Sequence, residues 1–155
     1  MCKYSIGGQE MDTLRSWRGD VQKKLGDERK ALIHIFQNVD IPMYVATMDT
    51  HIILLTNHAL EKLVGANVVG KKCHEVLQGR TLPCDFCTNE ELKKAGDVYV
   101  WEFFHDRGRW YRCIDTAIPW HDGSLVRFEM AIDITDMKVI ENNLRTAMSI
   151  VADGM

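Results

Sequence analysis

Three cysteines stand within one short stretch, Cys73, Cys84 and Cys87, in the spacing C-x10-C-x2-C. A Cys-x-x-Cys pair lets two thiolates meet one metal ion or each other. A closed tetrahedral zinc site would need one more ligand, and His74, Cys113 or a water are the options. The same thiols could instead form a reversible disulfide and sense redox state. They could also be unreactive, with Cys73 a small apolar core residue and Cys84 and Cys87 free in an exposed loop. Spacing alone leaves all three readings open. Thr88 follows Cys87, so the Cys-x-x-Cys-His of a c-type haem is not formed. An iron–sulfur cluster would need a further thiolate, which only Cys113 or the remote Cys2 could supply. Non-covalent haem through His74 or His58 stays open, although a histidine on a short helix is more often structural or exposed.

Other catalytic patterns are missing. There is no Gly-rich phosphate loop and no Gly-x-Ser-x-Gly elbow. Thiol–disulfide enzymes use a βαβ context that this chain lacks. The chain is therefore expected not to be an enzyme. Its five cysteines, an odd number without a secretory leader, argue against a disulfide framework.

The elements that would position the cluster follow from periodicity. Residues 1–27 read as a leader, with Leu14, Trp17, Val21 and Leu25 at helical spacing but Gly19 and Gly26 weakening the helix. Asp27 is a plausible N-cap for a new helix carrying Ala31, Leu32, Ile35, Phe36 and Val39 on one face. After Pro42, two strands are expected, Met43 to Met48 and Ile52 to Thr56, joined by the turn Asp49-Thr50-His51. Asn57 opens a short helix that Gly65 closes. A second short helix carries Cys73, Val76 and Leu77, and the loop Gly79 to Cys87 contains Pro83. Thr88-Asn89-Glu90-Glu91 reads as a capping box before a helix to Gly96.

The remainder reads as three strands, Val98 to His105, Trp110 to Trp120 and Leu125 to Asp133, separated by short turns. In the last, Val126, Phe128, Met130 and Ile132 alternate with Arg127, Glu129 and Ala131, so one face is buried. Alternation puts Val45, Ile53, Ile114 and Phe128 forward as lining of a ligand cavity between sheet and helices. Arg112 and Asp115 would be exposed on the sheet or, if buried, paired. Met137, Ile140, Leu144, Ala147 and Val151 are spaced 3-4-3-4, the seam of a coiled coil. That seam and the apolar leader predict a homodimer; packing of the stripe on the chain's own sheet is the alternative.

Bulk properties narrow the class. The chain has 155 residues, 46% hydrophobic and 26% charged, with net charge -3. This suits one domain with flanking segments and gives no basic surface for nucleic acid. No apolar run approaches the ~18 residues that span a bilayer, and a cytoplasmic location is expected.

From Glu28 to Met137 the chain resembles a PAS domain. Asp49 stands at the acidic position after the first strand, and Asn57 at the Asn that opens the first short helix. Leu63 and Gly65 are similar to that helix's Leu-x-Gly ending, and Gly70 to the Gly before the next. Asp133-Ile134-Thr135-Asp136 resembles the motif where the last PAS strand meets its output helix. The turn Asp49-Thr50-His51 departs from the pattern: it lacks the usual Gly and is one residue shorter. The resemblance implies an α+β fold with a five-stranded antiparallel sheet, short helices on one face and a leader helix over the other. It divides the chain into a leader (1–27), the PAS domain (28–136) and a signalling helix (137–155). It implies a sensor or a dimerisation module in a histidine kinase, a diguanylate cyclase or a similar regulator, with Asp133, Thr135 and Asp136 relaying the signal. The output domain would lie in the same polypeptide or in a partner protein. A subset of PAS domains resembles the stretch from Cys73 through Gly79-Arg80 to Pro83-Cys84-x-x-Cys87. Flavin-binding PAS domains have Gly-x-Asn-Cys-Arg-Phe-Leu-Gln, whereas Gly70 and Cys73 here lack the Asn and Arg, so flavin is not expected.

Overall fold

The computed structural model describes residues 8–95 and 98–153. Cys2 and Gly96 fall outside them. The chain divides into two compact units, one built on the N-terminal helix up to Asn38 and one beginning at Val39.

The first unit is a single helix, α1, Gly8–Asn38. The expected break near Asp27 does not occur. Gly19 and Gly26 lie inside the helix, since an isolated glycine weakens a helix by about 1 kcal/mol without stopping it. Leu14, Trp17, Leu25, Leu32 and Ile35 are all exposed on it.

Among the described residues the second unit contains five strands and four helices: β1 (Met43–Thr47), β2 (Ile53–Thr56), α2 (His58–Val64), α3 (Cys73–Gln78), α4 (Asn89–Ala95), β3 (Val98–His105), β4 (Arg109–Pro119), β5 (Leu125–Asp133) and α5 (Thr135–Asp153). The strands form one sheet in the order β2-β1-β5-β4-β3, with every neighbouring pair antiparallel. The fold is α+β, as expected.

Asn57 fixes where the chain leaves β2. It is fully buried and caps α2: its side-chain oxygen accepts from Leu60 N (3.1 Å) and Met43 N (3.0 Å). Its amide donates to the carbonyls of Ile41 (2.8 Å) and Val39 (3.1 Å). One side chain thus ties the approach to β1 to the start of α2. Behind it, Tyr44, Ala46, Ile53, Leu60, Val68 and Cys73 form the buried core.

The turn without glycine is made by His51, which takes the left-handed region at φ 63°. Its carbonyl accepts from Cys73 N at 2.8 Å, so the turn seats the start of α3. Gly79 ends α3, also left-handed at φ 62°, and sends the chain back toward the sheet. A side chain there would be strained, which explains the glycine.

Register separates the two faces of the sheet. Tyr44 is opposite Glu129 and Ala46 opposite Arg127; Asp115 is opposite Glu129, and Trp101 opposite Cys113. These residues look toward α2, α3 and α4. Their neighbours in sequence, including Val45, Phe128, Met130 and Ile114, look the other way, because successive residues of a strand alternate. The expected cavity lining is corrected accordingly. Val45, Ile114 and Phe128 lie on the face away from the short helices; Ile53 is on the helical side but in the packed core.

Candidate functional site

The inner face carries a buried polar cluster centred on Arg127. This residue is 5% exposed, and its guanidinium donates to Tyr44 Oη (2.7 Å), Asn89 Oδ1 (3.1 Å), Cys87 Sγ (3.5 Å) and Cys73 Sγ (3.6 Å). Glu129 Oε2 lies 3.6 Å from Arg127 Nε and accepts from the Tyr44 hydroxyl at 2.5 Å. Burial works against the charge on Arg127, but Tyr44, Glu129, Cys73 and Asp115 around it hold its pKa well above the usual range. Burial also raises the Tyr44 hydroxyl, against the pull of Arg127, so Tyr44 keeps its proton and donates it to Glu129.

The thiols reach this cluster by different routes. Cys73 comes from the first turn of α3. Cys87 comes from the loop before α4, whose start is pinned to the sheet. Thr88, expected as a capping hydroxyl, instead donates to Asp115 Oδ2 at 2.6 Å, and Asn89 donates to Met48 O at 2.7 Å. Asp115 is wholly buried and also accepts from Trp101 Nε1 at 2.7 Å, which makes it the paired alternative of the sequence reading. Arg112 lies on the other face and pairs with Glu102 at 3.0 Å.

The loop itself is held by Arg80, which binds Asp85 at 2.6 Å and stands 5.2 Å from the centre of the Phe86 ring. Phe86 packs on Phe103 and Trp101. The Gly-Arg before the Cys-x-x-Cys pair therefore has a local structural job: Gly79 turns the chain, and Arg80 clamps the two residues between the cysteines.

Cys73, Cys84, Cys87, Cys113 and His74 all line one cavity of about 50 Å³, together with His51, Tyr44, Arg127 and Glu129. His74 is 3% exposed, and neither ring nitrogen has a hydrogen-bond partner. Its ring meets that of His51 edge-on at 5.5 Å, and His51 Nε2 lies 3.8 Å from Cys87 Sγ. Burial, His74 and Arg127 lower the pKa of His51. Burial raises the thiols of Cys73 and Cys113 and brings Cys84 up to about 11. Among the described residues no group of three His, Cys, Asp or Glu side chains is placed to hold a metal ion, and the Arg127 guanidinium lies against both Cys73 and Cys87. His58 is exposed on α2, away from this cavity.

A larger cavity of about 220 Å³ adjoins the first and shares Tyr44, Leu77, Phe103, Cys113 and Glu129 with it. Leu60, Leu63 and Val64 of α2 form one wall and Ala131 of β5 another, with His105, Arg107 and Arg109 adding polar groups.

Sequence reasoning missed Arg127, Glu129, Tyr44 and His51. The only available signal was that Arg127 and Glu129 alternate with apolar residues, and that pattern was read as a solvent face.

Burial raises the Glu129 carboxyl to about 7; the charge of Asp115 adds to this, while Arg127 and Tyr44 oppose it. The folded state then binds a proton more tightly than the unfolded chain. Stability contributed by neutral Glu129 is fully present below about pH 4.5, the ordinary glutamate value, and is lost as pH rises through about 7. The expected loss across this window is on the order of 3 kcal/mol. Glu129→Gln should flatten this slope when urea unfolding is measured from pH 5 to 8.

At the far end of β5, Asp133 accepts from Thr135 N (2.9 Å) and Thr135 Oγ1 (2.6 Å), and Arg109 donates to it at 2.5 Å. Partial burial works against the Asp133 charge, but these bonds hold its pKa below the usual value. Trp110 N donates to Thr135 Oγ1, and Ile134 N donates to Trp110 O. Ile134 is buried, while Asp136 is exposed in the first turn of α5, where its charge suits the helix N-terminus. Lys138 of α5 pairs with Glu102 of β3 at 2.5 Å. The start of α5 is thus bonded to β3, β4 and β5.

An antiparallel sheet ordered 2-1-5-4-3, with short helices enclosing cavities on one face and a helix leaving its central strand, defines a PAS fold. Solved structures bear this out. An RNA-binding light-oxygen-voltage receptor matches with a TM-score of 0.57 and 16% identity over 81% of this chain, which spans 38% of the receptor's length. The PAS domain of nitrogen regulation protein NR(II) from Vibrio parahaemolyticus matches at 0.54 and 17%, over 66% of this chain and 96% of that one. The PAS domain of BvgS from Bordetella pertussis matches at 0.51 and 19%, over 79% and 98%. The likeness is one of fold. No family model and no curated protein matches the sequence. Among the described residues, no helix is long and apolar enough to cross a membrane.

Proposed function

We propose that this chain is a sensory module whose input is the inner-face cluster and whose output is α5. One observation carries the reading: β5 contributes Arg127, Glu129 and Ala131 to the two cavities and ends in the Asp133–Thr135 corner that starts α5. A change in the cavities therefore acts on the strand from which the helix departs. A signal need only favour one of two packings for such a helix to report it. The module works by conformational relay rather than turnover, in the cytoplasm, and passes its signal to an output such as a histidine kinase or diguanylate cyclase, in the same polypeptide or in a partner.

The homodimer belongs to the same reading. Met137, Ile140, Leu144 and Val151 are exposed along α5, an apolar seam that a second copy of the helix would cover. That seam also favours the second reading, a dimerisation module that senses nothing. The two part on one experiment: altering how the larger cavity is filled and following amide exchange on α5. A sensor transmits the change and a passive dimerisation module does not.

A further inference from the structure

The reading of the inner-face cluster as a sensory input leaves open what it responds to, and the two half-buried thiols of the loop before α4 answer that in chemical terms. We propose that Cys84 and Cys87 form a modification site for a small hydroperoxide, with Cys87 oxidised first and Cys84 closing a disulfide onto it. The proposal rests on the sensory reading only for its consequence, not for its chemistry.

Cys87 N donates to Cys84 O at 3.2 Å, closing a four-residue turn. Such a turn holds its end Cα atoms within about 7 Å, and disulfides span about 4.4–6.8 Å between Cα atoms. The pair is thus close to bonding geometry without moving α3 or the sheet. Cys73 also meets Arg127, but Cys87 is the half-buried thiol that adds a histidine beside it. Its sulfur accepts from the Arg127 guanidinium at 3.5 Å and lies 3.8 Å from His51 Nε2. The lowered pKa of His51 leaves a neutral imidazole beside the sulfur to take its proton. Burial keeps Cys84 protonated, with its pKa raised to about 11, so it does not compete with Cys87 for the peroxide. Cys84 and Cys87 are partly exposed at the cavity, whereas Cys73 and Cys113 are buried.

The chemistry balances. The Cys87 thiolate attacks the hydroperoxide, the O–O bond breaks, and Cys87 becomes a sulfenic acid while the departing oxygen takes the proton held by His51 and leaves as an alcohol or water. Cys84 then attacks the sulfenic sulfur, and its proton leaves with the hydroxyl as a second molecule, water. Two thiols lose two electrons, and the peroxide gains them. The disulfide draws the Cys87 sulfur away from Arg127, so β5 loses one of the contacts that hold its guanidinium.

The test uses the whole chain, reduced, treated with a small excess of hydrogen peroxide, alkylated and digested with trypsin. Cleavage after Lys72, Arg80 and Lys93 leaves Cys73 on one peptide and Cys84 with Cys87 on the next. The expected result is a loss of two hydrogens within the 81–93 peptide, with Cys73 alkylated. Cys84→Ser should stop at a Cys87 sulfenic acid, trapped by dimedone, and Cys87→Ser should give neither disulfide nor adduct. His51→Asn, which tolerates the left-handed turn, should slow Cys87 oxidation by about tenfold or more. A cross-link between the 73–80 and 81–93 peptides, or full alkylation of all three thiols after peroxide, would overturn the proposal; an unchanged rate in His51→Asn would overturn the role given to His51. The mass readout is blind to α5. A disulfide that forms without changing exchange on α5 leaves the modification site standing and removes the sensory reading, and the reverse outcome does the opposite.

Discussion

Arg127→Met is expected to destabilise the domain by about 3–5 kcal/mol, the range for removing one partner of a buried charge pair. Methionine fills much of the same volume, so the loss is one of polar pairing more than packing. Without the guanidinium, Glu129 still accepts from Tyr44 but has lost the cation beside it, and Asn89 Oδ1 loses its donor from β5. Glu129 would then take up a proton more readily still, so the defect should be larger at pH 8 than at pH 5. Removing the charge on both sides tests the cause. Arg127→Met with Glu129→Gln should recover part of the loss, because a buried pair replaced as a unit often costs little. Urea unfolding of the single and double variants measures both. Equal losses would mean that Arg127 acts through packing alone.

Asn57→Ala should cost roughly 4 kcal/mol or more, taking about 1 kcal/mol for each hydrogen bond lost and added cost for groups left buried and unpaired. The side chain makes four bonds, two as acceptor and two as donor, in a fully buried position. Replacement by aspartate separates the two halves. Asn57→Asp keeps the acceptor oxygen that caps α2 but points a carboxylate at the carbonyls of Val39 and Ile41. Its stability at pH 7 should be no better than that of the alanine variant, and it should rise on acidification as the carboxyl regains a proton to donate. Stability of both variants across pH 4 to 8 checks this; an aspartate variant as stable as the parent at pH 7 would show that the donor bonds carry little.

The strand pattern was readable because alternation in 126–132 is strong, and the observed strand has the expected bounds, Leu125–Asp133. Which side faces the helices was not. Val126, Phe128, Met130 and Ile132 make the apolar set, and apolar residues usually mark the core. Here the helices instead cover the polar set, whose charges are satisfied by one another and by Tyr44 and Asn89. No local feature of the sequence reports that Arg127 meets Tyr44, more than eighty residues away, at 2.7 Å. The same inversion misplaced Val45, Ile114 and Phe128. The break expected near Asp27 does not occur because glycines that weaken a helix do not end it, and Asp27 lies inside α1 rather than capping a new helix. The Asn57 cap and the Asp133-Ile134-Thr135 corner were readable, since each works through hydrogen bonds to backbone groups close in the chain or to its flanking segment. Cys73, Cys84 and Cys87 line one cavity with Arg127, a cation that their spacing did not announce.

The central claim is that a change in the inner-face cavities reaches α5 through β5, and amide exchange on α5 tests it most directly. Ala131→Leu adds side-chain volume to the larger cavity from β5 itself, and the cavity of about 220 Å³ has room for it. Leu82→Ala, at a residue exposed in the loop, serves as the control. The account predicts that Ala131→Leu alters exchange in the first turns of α5 several-fold, that Leu82→Ala does not, and that adding Asp133→Ala to Ala131→Leu abolishes the difference. A folded Ala131→Leu protein whose α5 amides exchange like those of the parent would contradict it.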